Sequence, residues 1–269
     1  MNAQPPILPS GLPPIAERLA GRAKGRPLRL APMEQVLARI DGTPVQFHLN
    51  MENDPIQHCH RHGRFYEAEE LAELVRLVPK RASILDVGAN VGNHALFFAL
   101  FHDARRIIVV EPNPLALEPL VANVLGNRLD HVIQLQYLGF GLADRDEAGF
   151  SMKPHDRNLG ATRMFAGTDG PFSVRRGDGV FPRARPDLVK IDVEGMEMQV
   201  LEGLEALIAR ARPVLMVEVN HANADAFAEW AAGHHYRTHL TRRVGRANDN
   251  HILLPDTPEA VPTEDKENA

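Results

Sequence analysis

A single cysteine, Cys59, is all that this 269-residue chain carries, which excludes an intramolecular disulfide and fits a reducing cytoplasm. No apolar run approaches the ~20 residues that a membrane-spanning helix needs. Prolines interrupt the N-terminal stretch where a signal peptide would require a continuous apolar core. No dense basic stripe runs through the region that reads as folded, and with a net charge of −5 this argues against a nucleic-acid partner. Internal repeats are absent as well. What remains is an ordinary globular composition, 44% hydrophobic, long enough for one sizeable α/β domain with appendages.

Charge is unevenly placed along the chain. Residues 1–32 hold five bases against the single acid Glu17, with seven prolines, and read as a disordered or loosely docked basic leader. Residues 256–269 hold five acids against Lys266 and read as a disordered acidic tail. Residues 33–66 contain short β-like pieces such as Val45–Leu49 and predict a small N-terminal cap.

From residue 67 to 255 strand and helix patterns alternate. The first helix, from Glu67, carries Leu71, Leu74, Val75 and Val78 on one face and is stopped by Pro79. Strands are expected at 83–87, 106–110, 132–138, 187–191 and 214–219, with final strands near 236–240 and 251–254. Helices are expected at 91–101, 114–125, after Asp192 and near 222–232, with a β-rich insertion over 148–176. Repeated strand–helix units predict a mostly parallel sheet covered by helices on both faces.

The most informative segment is Asp86-Val87-Gly88-Ala89-Asn90-Val91-Gly92-Asn93, which joins the first strand of this unit to its helix. A glycine-rich turn at that place, followed by an acid ending the next strand, is how a nucleoside cofactor is held. Gly88 and Gly92 are expected to let the backbone approach a ligand. Asn90 tolerates positive φ and offers both donor and acceptor. Glu111 follows Asp86 by 25 residues (111 − 86) and can accept hydrogen bonds from ribose hydroxyls. The turn reads DxGxNxG, without the third-glycine pattern that presents amides to a pyrophosphate. S-adenosylmethionine has no phosphate and carries an ammonium, so the acidic Asp86 suits it better than a dinucleotide.

Together with this turn, Val110-Glu111-Pro112-Asn113 and Lys190-Ile191-Asp192-Val193-Glu194-Gly195-Met196-Glu197 resemble the FkbM family of S-adenosylmethionine-dependent methyltransferases. The similarity spans roughly residues 62–255. It implies a Rossmann-like class I fold with seven strands, and methyl transfer to a hydroxyl of a sugar, small molecule or natural-product scaffold. By the same resemblance, Asp86, Gly88, Asn90, Gly92 and Asn93 would line the methionine end of the cofactor. Glu111, with Pro112 and Asn113, would meet the ribose, and Gly141, Leu142 and Asp144 the adenine. Tyr66 and Glu67, in Phe65-Tyr66-Glu67, would close over the cofactor. The glycine-rich Gly139-Phe140-Gly141 departs from the family pattern.

An alcohol benefits from a general base before it attacks a methyl group. Asp192 and Glu194, at the end of the fourth strand, are the leading candidates, and Asp192 also borders the cofactor. Two carboxylates this close can share a proton. They can instead hold Mg²⁺ through oxygen ligands, or cap the following helix. His221, after the fifth strand in Glu218-Val219-Asn220-His221, is a third base candidate with a suitable intrinsic pKa, or a solvent-facing loop residue. His58-Cys59-His60-Arg61-His62 invites a zinc reading, but no second Cys/His pair completes a tetrahedral set, so a polar entry loop is expected. Residues 153–158 are polar and proline-bent and are read as a substrate lid. Two other readings stand beside the methyltransferase: a cofactor-binding module without catalysis, and a nicotinamide oxidoreductase, which Asp86 disfavours.

Overall fold

A computed structural model describes residues 12–153 and 158–256. Helix α1 (Ile15–Arg22) precedes a hairpin of β1 (Glu34–Ile40) and β2 (Thr43–Leu49), then α2 (Pro55–Arg61) and α3 (Ala68–Leu77). The alternating core follows as β3 (Ser83–Val87), α4 (Asn93–Phe101), β4 (Arg106–Val110), α5 (Pro114–Gly126) and β5 (Ile133–Gln134). Next come β6 (Gly141–Ala143), β7 (Glu147–Lys153), β8 (Arg163–Arg176) and the short α6 (Gly177–Val180). The chain closes with β9 (Leu188–Ile191), α7 (Glu197–Gly203), α8 (Glu205–Ala211), β10 (Val214–Asn220), α9 (Ala224–Gly233), β11 (Tyr236–Val244) and β12 (Asn248–Pro255).

Seven strands form one sheet in the order β11-β12-β10-β9-β3-β4-β5. β10, β9, β3, β4 and β5 run parallel, while β12 pairs antiparallel with both β10 and β11. The central strands are apolar on both faces because helices cover both. Leu71, Leu74, Leu96, Ile107, Leu120 and Leu188 pack on one side. Val189, Ile191, Leu201, Leu207, Val217 and Phe227 pack on the other. This is a Rossmann-like architecture, an open and mostly parallel sheet with helices on both faces.

Several elements differ from the sequence reading. The expected strand 132–138 narrows to Ile133–Gln134, because the chain turns at Gln136–Tyr137 and Tyr137 packs against Phe181. Leu138 rejoins the sheet only through a bridge to Glu111. The last two strands run longer than expected, since each pairs along its length with the other. The leader also differs. Its residues 15–22 are helical, and Arg18 forms an ion pair with Glu118 of α5, both side chains over nine-tenths buried. Arg22 reaches Asp130 at 2.8 Å, so two of the leader's bases are answered by acids of the chain's own body. Of the acidic tail only Asp256 lies within the described residues.

Candidate active site

Strands β3, β4 and β9 point their carboxyl ends at one cleft, beside β10, where open α/β sheets bind ligands. The turn after β3 folds over the end of β4, with the Gly88 and Ala89 amides donating to the Val110 carbonyl at 2.9 and 3.1 Å. Gly88 has φ +75°, and a Cβ there would stand 1.8 Å from the Asp192 carbonyl oxygen. Its glycine is required by the joint between this turn and the loop after β9, which the ligand-approach argument did not foresee. Gly92 begins α4, and a Cβ there would crowd Leu96 and Leu120 instead of the cleft.

Asn90 sits at φ +49°. Its amide donates to Glu111 Oε2 at 2.8 Å, while the Asn113 amide donates to Oε1 at 2.7 Å. Burial pushes Glu111 up to about 7, and these two amides pull the other way. Asn113 also caps α5, its Oδ1 accepting from the Leu115 amide, with Pro114 in the first helical turn. The Glu-Pro-Asn-Pro run thus builds a helix start and one wall of the cleft together. Among the described residues, the buried Asn90 Oδ1 has no hydrogen-bond partner.

Gly88, Asn90, Glu111, Pro112, Asn113, Gly141, Leu142, Asp192 and Glu194 all border one cavity. Its roof is the arm formed by β7, β8 and their connection, through Met152, Leu159, Gly160, Thr162 and Met164. Asp54 caps α2 with one oxygen and accepts the Leu159 amide with the other at 2.8 Å. Asn113 reaches Thr162 Oγ1 at 3.2 Å. Asp54 was not singled out from the sequence, although Asp-Pro ahead of a helical run is a readable cap. Of the expected lid, residues 154–157 lie outside the described residues.

Other expected positions fall away from the cavity wall. Asn93 is buried and binds the main chain of Tyr66 and the ring of His60, so it ties α4 to the cap. Asp144 pairs with Arg145 at the surface. His221 lies in a short helical turn after β10, with Nε2 3.2 Å from Asp249, and the structure does not bring it to the cavity. Asp86 is fully buried beneath the turn, where its carboxylate faces Lys190 at 3.4 Å. The His58–His62 segment forms the end of α2: His60 stacks inward on Phe47, and Arg61 pairs with Glu34. Burial holds His60 down at about 4, a neutral core histidine.

Carboxylates dominate the far side of the cleft. The register places Glu218 on β10 beside Asp192, and Asp192, Glu194 and Glu218 have oxygens within 4.8 Å of one another. That oxygen-only set is the kind hard divalent cations take. Glu194 is pushed up to about 7 by burial and then by Asp192; Glu218 reaches about 9 for the same reasons, with Asn248 donating to it. Glu67, at φ +54°, accepts from Asn250 at 2.7 Å and stands 3.3 Å from the buried His94 ring. Burial, then Asp192, raises Glu67 to about 7. Burial, then the nearby Lys190 charge, lowers His94 to about 3, so its imidazole is neutral. Tyr66 is pushed up by burial and then by the charges of Glu67, Glu218 and Asp192.

Lys190 was not singled out from the sequence beyond its place in the family motif. Its one signal was a charge inside the apolar run Leu188–Ile191.

The sequence profile of the methyltransferase FkbM domain matches residues 86–246, and the chain belongs to that family. It is 28% identical over 199 residues to the hexuronic acid methyltransferase AglP of Haloferax volcanii, covering 71% of this chain and 76% of that protein. Among solved structures it is similar to methyltransferase FkbM of Methylobacillus flagellatus KT. That match has 18% identity and a TM-score of 0.46, and covers 64% of this chain but 43% of that one. Another is TrmK of M. capricolum in complex with S-adenosyl-homocysteine, at 13% identity and a TM-score of 0.43, covering 69% of this chain and 67% of that one. Among the described residues, no helix is long and apolar enough to cross a membrane.

Proposed function

We propose that the protein is an S-adenosylmethionine-dependent O-methyltransferase acting on a hydroxyl of a saccharide or another small polyhydroxyl acceptor. The observation that carries this reading is the cavity wall. A buried, unpartnered Asn90 Oδ1 and the Glu111 carboxylate occupy its cofactor side, and Asp192 with Glu194 occupies the other. The donor set suits the cofactor: Asn90 Oδ1 is free for an ammonium or hydroxyl, and each Glu111 oxygen keeps a lone pair for a ribose hydroxyl. Gly141, Leu142 and Met164 offer an apolar surface to a base. S-adenosylmethionine, when bound, supplies an activated methyl group; the chain supplies placement and charge.

Asp192 borders the cavity at the end of β9 and is partly exposed to it, as a base serving an incoming hydroxyl must be. It would take the acceptor's proton at a carboxylate oxygen. Glu218, raised to about 9, holds a proton near neutral pH and can donate a hydrogen bond to a neighbouring acceptor oxygen, while Glu194, raised to about 7, is shared between its two forms there. The name of the Haloferax volcanii relative supports a saccharide acceptor. No observation favours magnesium over direct carboxylate action.

Calorimetry with S-adenosylhomocysteine and with NAD tests the cofactor, and transfer of labelled methyl to hydroxylated acceptors tests catalysis. Asp192→Asn should keep S-adenosylhomocysteine affinity within about threefold while turnover falls on the order of 10²–10⁴-fold, the usual worth of a general base. Preferential binding of NAD, or unchanged turnover in the variant, would reject the assignment.

A further inference from the structure

Lys190 is the one residue of the apolar strand β9 that carries a charge, and it is 5% exposed. Its neighbours on the adjacent strands are Asp86 of β3 and Met216 of β10. The ammonium hydrogen-bonds one carbonyl oxygen and forms ion pairs with two carboxylates. Nζ lies 2.7 Å from the Gly88 carbonyl, 3.3 Å from Asp192 Oδ2 and 3.4 Å from Asp86 Oδ1. These belong to the glycine turn, to the loop after β9 and to the floor of the sheet. Removing an ammonium from water costs several kcal/mol, and an apolar residue of similar size in such a place is often neutral or stabilising. Stability alone therefore gives no reason for a lysine here.

We propose that Lys190 is a positioning residue for methyl transfer. It clamps one oxygen of Asp192 against the glycine turn, so that the other faces the acceptor hydroxyl in a fixed orientation. The clamp explains how an aspartate only about a quarter exposed, on a loop, keeps one geometry. It also fixes the distance between base and cofactor wall, because the same ammonium holds the Gly88 carbonyl, and Gly88 packs on the Asp192 carbonyl. Asp86 completes the arrangement from below by neutralising the lysine without touching the cavity. This inference rests on Asp192 acting as the base in the proposed function.

A double-mutant cycle tests it. Lys190→Met should lower kcat on the order of 10²-fold, the usual cost of a misplacement near 1 Å. S-adenosylhomocysteine affinity should stay within about tenfold, since Asn90 and Glu111 are untouched. In the Asp192→Asn background the same lysine substitution should cost less than about threefold, because the lysine acts through that carboxylate. Full multiplication of the two losses would overturn the inference, as would a Lys190→Met enzyme with undiminished kcat. If Asp192→Asn alone retains turnover, the proposed base fails instead, and the two failures are thereby told apart. Should the methionine variant not fold, Lys190→Gln keeps a donor for the Gly88 carbonyl and runs the same cycle. Failure of both to fold would assign the lysine to the fold and reject the proposal.

Discussion

Replacing Gly88 by alanine tests the joint on which the whole cleft depends. Two costs follow from the structure. Left-handed backbone at φ +75° penalises an alanine by roughly 1–2 kcal/mol. The added Cβ would stand 1.8 Å from the Asp192 carbonyl oxygen and 2.9 Å from its carbon, so backbone must move. Overpacking of that kind typically adds about 1–3 kcal/mol. The sum, about 2–5 kcal/mol, is a large part of the ~5–15 kcal/mol that holds a domain folded. Gly195, directly after the left-handed Glu194, supplies the control: φ is +103°, yet nothing lies within 4 Å of its Cβ position. Gly195→Ala should therefore show the backbone penalty alone, about 1–2 kcal/mol. Urea denaturation measures both, and the midpoint should fall further for Gly88→Ala. Because the displaced group belongs to Asp192, Gly88→Ala should also lose turnover even where it remains folded. Equal destabilisation of the two variants would refute the idea that contact with Asp192 explains the glycine.

The carboxylates set a pH dependence of stability. Glu67, Glu111 and Glu194 are raised to about 7 and Glu218 to about 9, so each holds its proton in the folded chain after the unfolded chain has released it. Their contribution is complete below the unfolded carboxylate range and is lost as pH rises through those values. His60 and His94, lowered to about 4 and 3, contribute fully above the unfolded imidazole range and add no slope there. The melting temperature should thus fall between pH 7 and pH 9, and a flat or rising curve in calorimetry would contradict the assignment. In the leader, Arg18→Ala leaves Glu118 buried without its partner, and breaking such a pair costs about 3–5 kcal/mol. Limited proteolysis should then cut residues 12–32 faster than in the parent; unchanged cleavage would mean that the pair does not hold α1.

Much of the framework was legible because it depends on local periodicity. Short, mostly apolar runs that contain or precede an acid, alternating with helical stripes, gave strands β3, β4, β9 and β10 within a residue or two. The third strand was overextended because Tyr137 looks like strand material but packs sideways on Phe181. The leader was misread for the same kind of reason: proline and charge content describe solvation, while the docking of α1 depends on Glu118, 100 residues away.

At the cleft, the sequence by itself determined which chemistry was on offer: a glycine turn, an acid after the next strand and two carboxylates after the fourth. Within each of these motifs the residues are neighbours in sequence, so their spacing is fixed covalently. Only the tertiary structure decided their division of labour. Asp86 and Asp192 are alike in sequence, yet one lies under the turn facing a lysine and the other borders the cavity. Gly88 is governed by the carbonyl of a residue in the loop after another strand, and Asp54 holds a roof that lies 105 residues further on. Local pattern fixes which groups stand at a strand's end. What each group touches, and so what it can do, is set by contacts between strands far apart in the chain.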